Sequence, residues 1–212
     1  GALKATLSVP TGAEGGPDAV MKNLVHAAQQ VAGKAGMKLA EVAGIGIGSP
    51  GPLNLEEGIV LWAPNMPGWR NVPIRARIAE GTGRPTVLEN DANAAAFGEG
   101  WAGAGRDPSI RHFVMLTLGT GVGAGIVVDN VLMHGAYGKA AEAGHMIVEP
   151  EGRQCGCGQR GCLEAYASAS RTALRARERL EAGHNSSLRP LFEQDPDKVD
   201  AKAVFDAAMA GD

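Results

Sequence analysis

The sequence predicts an α/β fold, because segments with the period of a strand alternate with segments with the period of a helix. The clearest unit is residues 85–118, in which a strand (85–89), a helix (92–102) and a second strand (112–118) follow one another. Strands that run parallel need a long crossover between them, and a helix is the usual one. This unit therefore predicts a parallel sheet.

Before this unit, predicted strands and helices also alternate. Apolar or alternating runs predict strands at residues 3–9, 42–48 and 58–62. Apolar residues at helical spacing predict a helix at residues 18–34, with Pro17 at its start, and a shorter helix at residues 72–80. A loop is predicted at residues 64–69.

After this unit, the sequence predicts a hairpin in which residues 112–118 pair with residues 125–132 across a glycine-rich turn. Residues 133–161 have neither period and are interpreted as an irregular loop. Helical spacing returns at residues 162–182 and 200–210.

The length of the chain, 212 residues, suits one large domain or two small ones. The composition changes at residues 103–111, where glycine and charged residues interrupt the apolar patterns. The sequence therefore predicts an N-terminal lobe at residues 1–105 and a C-terminal lobe at residues 106–212.

The composition excludes several classes of protein. Hydrophobic residues make up 44% of the chain and charged residues 20%, which excludes an intrinsically disordered protein. The net charge of -3 shows no basic excess, so no partner nucleic acid or anionic membrane is predicted. No apolar run approaches the roughly 20 residues that a membrane-spanning helix needs.

One histidine and all three cysteines predict a metal site. His145, Cys155, Cys157 and Cys162 supply the four ligands of a structural zinc ion, with no position left open for water. Three sulfurs and one nitrogen suit zinc better than copper or iron. The alternative is three buried free cysteines beside an unrelated histidine. Because thiolate sites persist in a reducing compartment, and no signal peptide is apparent, a cytoplasmic location is predicted.

A glycine-rich turn at residues 118–125 predicts a binding site for phosphate. It reads LGTGVGAG and lies between two predicted strands. A strand follows it rather than a helix, so it is not a dinucleotide-binding fingerprint, and it lacks the lysine of a P-loop. The exposed amides of such a turn bind anions, helped by a hydroxyl donor, and the candidate residues are Gly119, Thr120, Gly121 and Gly123. The alternative is a flexible turn without a ligand.

Carboxylates at two further places are candidates for binding a hydroxylated substrate. Asn90 and Asp91 lie where a predicted strand ends and a helix begins, which is where α/β sheets bind ligands. The alternative is that they only cap the helix. Glu142 and Glu164 flank the segment from His145 to Cys162 that contains the four candidate metal ligands, which we call the metal loop. They could accept hydrogen bonds from a polyol, or they could be solvated charges.

These motifs together resemble the ROK family of bacterial sugar kinases and regulators, and within it the glucokinases. The resemblance covers about residues 3–182. It is carried by GIGIGSPGP (44–52), APNMPGW (63–69), LENDANAAAFGE (88–99), TLGTGVGAG (117–125) and, above all, the block from residue 135 to residue 168, which includes AAEAGH and QCGCGQRGCLEA.

The resemblance implies an actin-like ATPase (ribonuclease H-like) fold of two α/β lobes, with a hexose and ATP bound in the cleft between them. It implies that Asp91 is the catalytic base, and that Gly119 to Gly123 binds the phosphates of ATP, with Mg²⁺ neutralising their charge. The sugar-binding residues that it implies are Asn90, Glu142, His145 and Glu164. It also implies that zinc is held by His145, Cys155, Cys157 and Cys162.

The activity that the resemblance implies is ATP-dependent phosphorylation of a hexose, with glucose as the expected substrate and a homodimer as the expected assembly. The family's first phosphate motif and its adenosine-side motif are not found in residues 1–212, so we expect the chain to be trimmed at both ends. Ala141 also stands where many relatives have glycine. Alternative activities are a sugar-responsive repressor, an inactive sugar-binding module, a kinase for an N-acetylhexosamine, mannose or fructose, and polyphosphate as the donor.

Overall fold

A computed structural model of the chain describes residues 2–63 and 66–212. Pro64 and Asn65, which belong to the predicted loop at residues 64–69, lie outside the described residues. The chain divides into two compact units, of which the first comprises Gly1–Phe113 with Val127–Ala140 and the second Val114–Ile126 with Ala141–Asp212. The lobes predicted at residues 1–105 and 106–212 stay a prediction.

The first unit contains five strands and three helices in its described N-terminal part. The strands are β1 (Ile45–Ser49), β2 (Leu53–Asn54), β3 (Ile59–Trp62), β4 (Arg70–Val72) and β5 (Thr86–Asn90). The helices are α1 (Gly16–Lys34), α2 (Ile74–Thr82) and α3 (Asp91–Ala102). β1 and β5 run parallel, from Ile45 beside Thr86 to Ser49 beside Asn90, whereas β2, β3 and β4 form an antiparallel sheet.

The core of the first unit lies between α1, α2 and these strands. Apolar side chains from the inner face of each element are buried together, among them Val20, Met21, Val60, Trp69, Val72, Ile74, Ile78 and Leu88. The predicted helix at residues 18–34 is confirmed as α1. The helix predicted at residues 72–80 begins later, at Ile74, because Val72 belongs to β4 and pairs with Val60 of β3, and Pro73 is the N-cap of α2.

A third sheet contains β6 (Phe113–Leu118), β7 (Val122–Val128) and β8 (Val131–Leu132), in that order. The strand predicted at residues 125–132 is two strands, because the chain turns at Asp129 and Asn130. Both residues have positive φ, 51° and 63°. Two such residues between paired strands form the turn whose twist matches a tight hairpin.

The second unit ends in four helices: α4 (Glu164–Ala167), α5 (Ala169–Glu181), α6 (Arg189–Gln194) and α7 (Ala201–Met209). The single helix predicted at residues 162–182 is interrupted at Ser168, whose extended backbone ends α4 and whose Oγ accepts a hydrogen bond from the Arg171 amide of α5. The sequence prediction missed α6. No helix among the described residues is long and apolar enough to cross a membrane.

Two predictions about strands are wrong. Residues 3–9 form no strand, because no strand among the described residues pairs with them, and an unpaired strand leaves its backbone groups unsatisfied. Residues 85–118 do not form the predicted parallel unit. β5 pairs with β1 and β6 belongs to another sheet, so the crossover that produces the parallel pair runs through β2, β3, β4 and α2.

Candidate functional site

The junction of β5 and α3 exposes one carboxylate and uses the preceding amide as a cap. Asn90 Oδ1 accepts hydrogen bonds from the amides of Ala92 (3.0 Å) and Asn93 (3.1 Å). The predicted capping role of Asn90 is therefore present, and these bonds use the oxygen of its side-chain amide. Asp91 is exposed, and its Oδ1 accepts from the Ala92 amide at 2.9 Å.

Three polar groups converge on the carboxylate of Glu89, beside this junction. Glu89 Oε1 accepts from the Asn90 amide (2.9 Å) and from Asn93 Nδ2 (3.2 Å), and Oε2 lies 2.7 Å from His134 Nε2. Asn93 is only 4% exposed. No role of His134 is predicted from the sequence, because its separation of 45 residues from Glu89 forms no pattern that indicates a contact. This network holds the turn that carries Asn90 and Asp91.

In the second unit, the structure brings together the four predicted metal ligands. Their ligand atoms lie within 4.8 Å of one another. Cys157 Sγ is 3.7 Å from Cys162 Sγ, and Cys155 Sγ is 3.8 Å from His145 Nδ1. A tetrahedral zinc site with Zn–S bonds of about 2.3 Å has edges of about 3.8 Å. The residues therefore fit a zinc ion, with Nδ1 as the histidine ligand.

The protonation state of the thiols depends on whether a cation is bound. Burial raises the pKa of the Cys155 thiol to about 12, so that in the absence of a metal this group keeps its proton at neutral pH. Loss of all three thiol protons is unfavourable unless a cation lies between the sulfurs, because thiolates this close would repel one another. Binding of a divalent cation releases the protons and removes that repulsion.

The metal loop is fastened to α5 by contacts outside the cluster. The guanidinium of Arg153 forms a two-pronged ion pair with Glu178, with Nη1 3.0 Å from Oε1. The Arg153 amide donates to the hydroxyl of Tyr166 at 2.7 Å. Backbone pairing of Ile147 with Cys162 closes the loop at its base. The ligands are therefore held by a folded loop and not by a flexible one.

The two predicted glutamates differ in their surroundings. Glu164 is half-buried: its Oε2 accepts from the Val122 amide at 3.0 Å, and its Oε1 lies 3.6 Å from Cys155 Sγ. Glu142 is exposed, and its Oε2 lies 3.9 Å from His145 Nε2. The two nitrogens of His145 therefore face different groups, a sulfur on one side and a carboxylate on the other.

The glycine-rich turn between β6 and β7 is short and tightly bonded. The Gly119 amide donates to the Gly121 carbonyl at 3.0 Å. Ser170 Oγ donates to the Thr120 carbonyl at 2.9 Å, which fixes the turn to the start of α5. Thr120 itself is exposed. The turn is therefore held by hydrogen bonds within itself and to the start of α5, and its role in binding phosphate stays a prediction.

Within the second unit, Glu142, His145, Glu164, the cysteines and the glycine-rich turn thus form one connected group. Asn90 and Asp91 lie in the first unit, together with Glu89, Asn93 and His134. The roles predicted for these residues in binding and catalysis stay predictions.

The sequence profile of the ROK family matches residues 7–212. The chain belongs to the ROK family. It is 50% identical to the glucokinase of Thermotoga maritima over 168 residues, which are 79% of this chain and 52% of that protein. It is also 43% identical to the xylose repressor of Caldicellulosiruptor bescii over 127 residues, 60% of this chain and 31% of the repressor.

Among solved structures, the ROK family glucokinase from Streptomyces griseus in complex with glucose and AMPPNP superposes with a TM-score of 0.78 at 36% identity. The match covers 98% of this chain and 64% of that one. The chain thus spans about half to two thirds of the length of these kinases. The predicted family and the α/β, actin-like ATPase fold are confirmed.

Proposed function

We propose that the protein phosphorylates a hexose, with glucose as the main substrate and ATP as the phosphoryl donor. The observation that carries this proposal is the 50% identity to a glucokinase, together with the similarity to a glucokinase structure that holds glucose and an ATP analogue. The chain has residues of the kind that such a reaction uses: an exposed carboxylate, Asp91, and a glycine-rich turn at residues 119–123, in which Gly119 and Thr120 are exposed.

Asp91 acts as the base that accepts the proton of the sugar's 6-hydroxyl. Its place at the start of α3 suits a carboxylate, because the N-terminus of a helix favours negative charge. Phosphoryl transfer asks of such a group mainly that it orient the attacking hydroxyl. The amino group of Asn90, whose oxygen caps the helix, donates to a neighbouring sugar hydroxyl.

His145, Glu142 and Glu164 bind the other hydroxyls of the hexose. We propose that zinc, held by His145 and the three cysteines, gives the loop its shape. With Nδ1 as ligand, the neutral ring carries its proton on Nε2, which therefore donates a hydrogen bond. Glu142 is exposed beside this nitrogen and accepts from a hydroxyl of the same sugar. The pair thus supplies one donor and one acceptor.

The hydroxyl of Thr120 and the backbone amides of Gly121 and Gly123 bind the phosphates of the donor, while Gly119, whose amide donates to the Gly121 carbonyl, closes the turn. Amides that point into a turn stabilise negative charge without any need to reorient during the reaction. Mg²⁺ bound with ATP supplies further positive charge for the phosphates. Residues 119–123 therefore position the group that is transferred.

A repressor is the second candidate function, because the chain is also 43% identical to a xylose repressor. A repressor would bind the sugar with the same residues and would change its affinity for DNA in place of transferring phosphate. A kinase for an N-acetylhexosamine, mannose or fructose, or one that uses polyphosphate, remains a variant of the first proposal.

The deciding experiment is a coupled assay on the intact protein, in which a panel of hexoses is crossed with ATP and polyphosphate as donors. The proposal expects the highest kcat/KM for glucose with ATP. Absence of transfer to every sugar, together with sugar-dependent binding to DNA, would favour the repressor instead. Elemental analysis of the same sample tests the metal: we expect one zinc per chain.

We further propose that the protein is a homodimer in the cytoplasm. The free, clustered thiols support a reducing compartment. Light scattering coupled to size-exclusion chromatography measures the mass in solution, and a mass of one chain would contradict the dimer.

A further inference from the structure

Val122, the first residue of β7, is held from both sides by the segments that flank the metal ligands. Its side chain is buried. Its amide donates to Glu164 Oε2 at 3.0 Å, and Glu164 follows the ligand Cys162 by two residues. Its other oxygen lies 3.6 Å from Cys155 Sγ, which can donate only while the thiol is protonated, so in the zinc-loaded protein Glu164 is tied to the cluster through Cys162. One side chain therefore joins the metal cluster to the end of the glycine-rich turn.

The other side of Val122 faces Gly144, the residue before the ligand His145. Gly144 is buried, and a Cβ added to it would overlap the Val122 carbonyl oxygen. Its φ is not positive, so the need for glycine here comes from the close approach of two backbones and not from backbone conformation. The amide and the carbonyl of Val122 are thus both in contact with neighbours of metal ligands.

Further hydrogen bonds join the glycine-rich turn to the segment that follows Glu164. The segment that starts at Glu164 runs through α4 to the start of α5, where the Ala169 amide donates to the Gly119 carbonyl at 2.9 Å. Ser170 Oγ donates to the Thr120 carbonyl. The glycine-rich turn is therefore in contact with this segment at both of its ends.

From this geometry we propose that the metal cluster positions the glycine-rich turn, so that binding of the nucleotide's phosphates depends on the metal site. Gly144 and Glu164 are the positioning residues. This inference rests on the proposed function in one respect, the assignment of the turn to the phosphates. A turn that binds an anion through its amides must hold those amides in place before the ligand arrives. The cluster does so by fixing residues 144 and 164.

The first test compares two glycine substitutions in the intact, zinc-loaded protein. Gly144→Ala places a methyl group against the Val122 carbonyl, whereas the control Gly156→Ala lies between two metal ligands and meets no atom within 4 Å. We expect Gly144→Ala to weaken binding of a non-hydrolysable ATP analogue by about tenfold or more, while zinc content stays at one per chain. Gly156→Ala should bind the analogue as the wild type does. Wild-type nucleotide affinity in a zinc-loaded Gly144→Ala protein would overturn the proposal.

The second test needs no catalysis and no variant. Hydrogen exchange is measured at residues 119–123 with zinc bound and after removal of zinc by a chelator. We expect the Val122 amide to exchange about tenfold faster or more without zinc, because its acceptor Glu164 is no longer held. Amides of α1, in the first unit, should not change. Equal exchange at Val122 in both samples would overturn the proposal. A protein that phosphorylates no sugar would overturn the proposed function, while this exchange measurement would still decide the coupling.

Discussion

Asp91 is the residue that we propose as the catalytic base. It is exposed at the start of α3, and its Oδ1 accepts from the Ala92 amide, which fixes the direction of the carboxylate. An amide of the same shape would keep this geometry but could not accept a proton. Replacement of Asp91 by asparagine therefore distinguishes an effect on catalysis from an effect on sugar binding.

We predict that Asp91→Asn lowers kcat by about a hundredfold or more, the usual contribution of a general base. The dissociation constant of glucose should change by less than about threefold, since the shape of the site is kept. Steady-state kinetics and calorimetry measure the two quantities. Asp18→Asn, which changes an exposed aspartate in α1, is the control and should leave both unchanged. A near-normal kcat in Asp91→Asn would show that Asp91 is not the catalytic base.

Glu178 makes a pH-dependent contribution to stability through its pair with Arg153. The hydrogen bonds from Arg153 lower the pKa of the Glu178 carboxyl below its usual value. A carboxyl whose pKa is lower in the folded protein stabilises the fold above its unfolded pKa. That contribution is lost as the pH falls through the lowered, folded value.

We predict that Glu178→Gln lowers the free energy of unfolding at pH 7 by at most about 1 kcal/mol, because both partners are about 40% exposed to solvent. The difference between variant and wild type should shrink as the pH falls below the usual range of a glutamate. Urea denaturation at several pH values measures it. A difference that stays constant down to acid pH would show that packing, and not charge, is involved.

The junction of β5 and α3 has a structural role, which its hydrogen bonds show, and a proposed role in binding the sugar. Asn90 caps α3 through two amide hydrogen bonds, and the same side chain is proposed to contact the sugar. The Glu89 network with Asn93 and His134 supports the junction from the other side. The cap and the sugar contact use different atoms of Asn90, so substitutions can separate them.

We predict that Asn90→Ala destabilises the protein by about 1 kcal/mol through loss of the cap, whereas Asn90→Ser keeps most of that stability, since serine is an equally good cap. Both variants lack the side-chain amino group, so both should bind glucose more weakly. Urea denaturation and glucose titration of the two proteins give the comparison. If Asn90→Ser bound glucose as tightly as the wild type, the amino group would have no role in sugar binding.

Taken as a whole, the molecule has two units with different sources of stability. The first unit has an apolar core shared by α1, α2 and several strands. In the second unit, the buried cluster around the metal loop consists of Cys155, Cys162 and Ala165, with Tyr166 packed against it. So small a cluster stabilises a loop weakly, and small apolar cores commonly depend on a metal.

We predict that chelation of zinc makes residues 141–163 sensitive to a protease, while residues 16–34 stay resistant. The proposed zinc ion would cross-link this loop, whereas α1 packs against the apolar core of the first unit. Limited proteolysis with mass spectrometry locates the cleavage sites, and added zinc should restore resistance in the second unit. Cleavage that appears first in α1 would contradict this division.

Local patterns in the sequence were enough to predict the helices and strands whose formation depends mainly on neighbouring residues. The helix α1 and the strands β3 and β5 lie close to where the periodicity predicts them, because their apolar faces repeat along the chain. The clustering of the four candidate metal ligands was also predictable, since few other uses bring three cysteines and a histidine into eighteen residues. The family followed from motifs of the same kind.

Pairings between segments that are distant in the sequence could not be predicted from local patterns. Strand periodicity at residues 3–9 does not reveal whether a partner strand is present, and the unit at residues 85–118 does not reveal that β5 pairs with β1. The contact of His134 with Glu89 and the position of Val122 between Gly144 and Glu164 also join residues far apart in sequence. Such contacts depend on the packing of the entire fold and leave no pattern in the local sequence. Only the tertiary structure therefore shows which of these groups lie together.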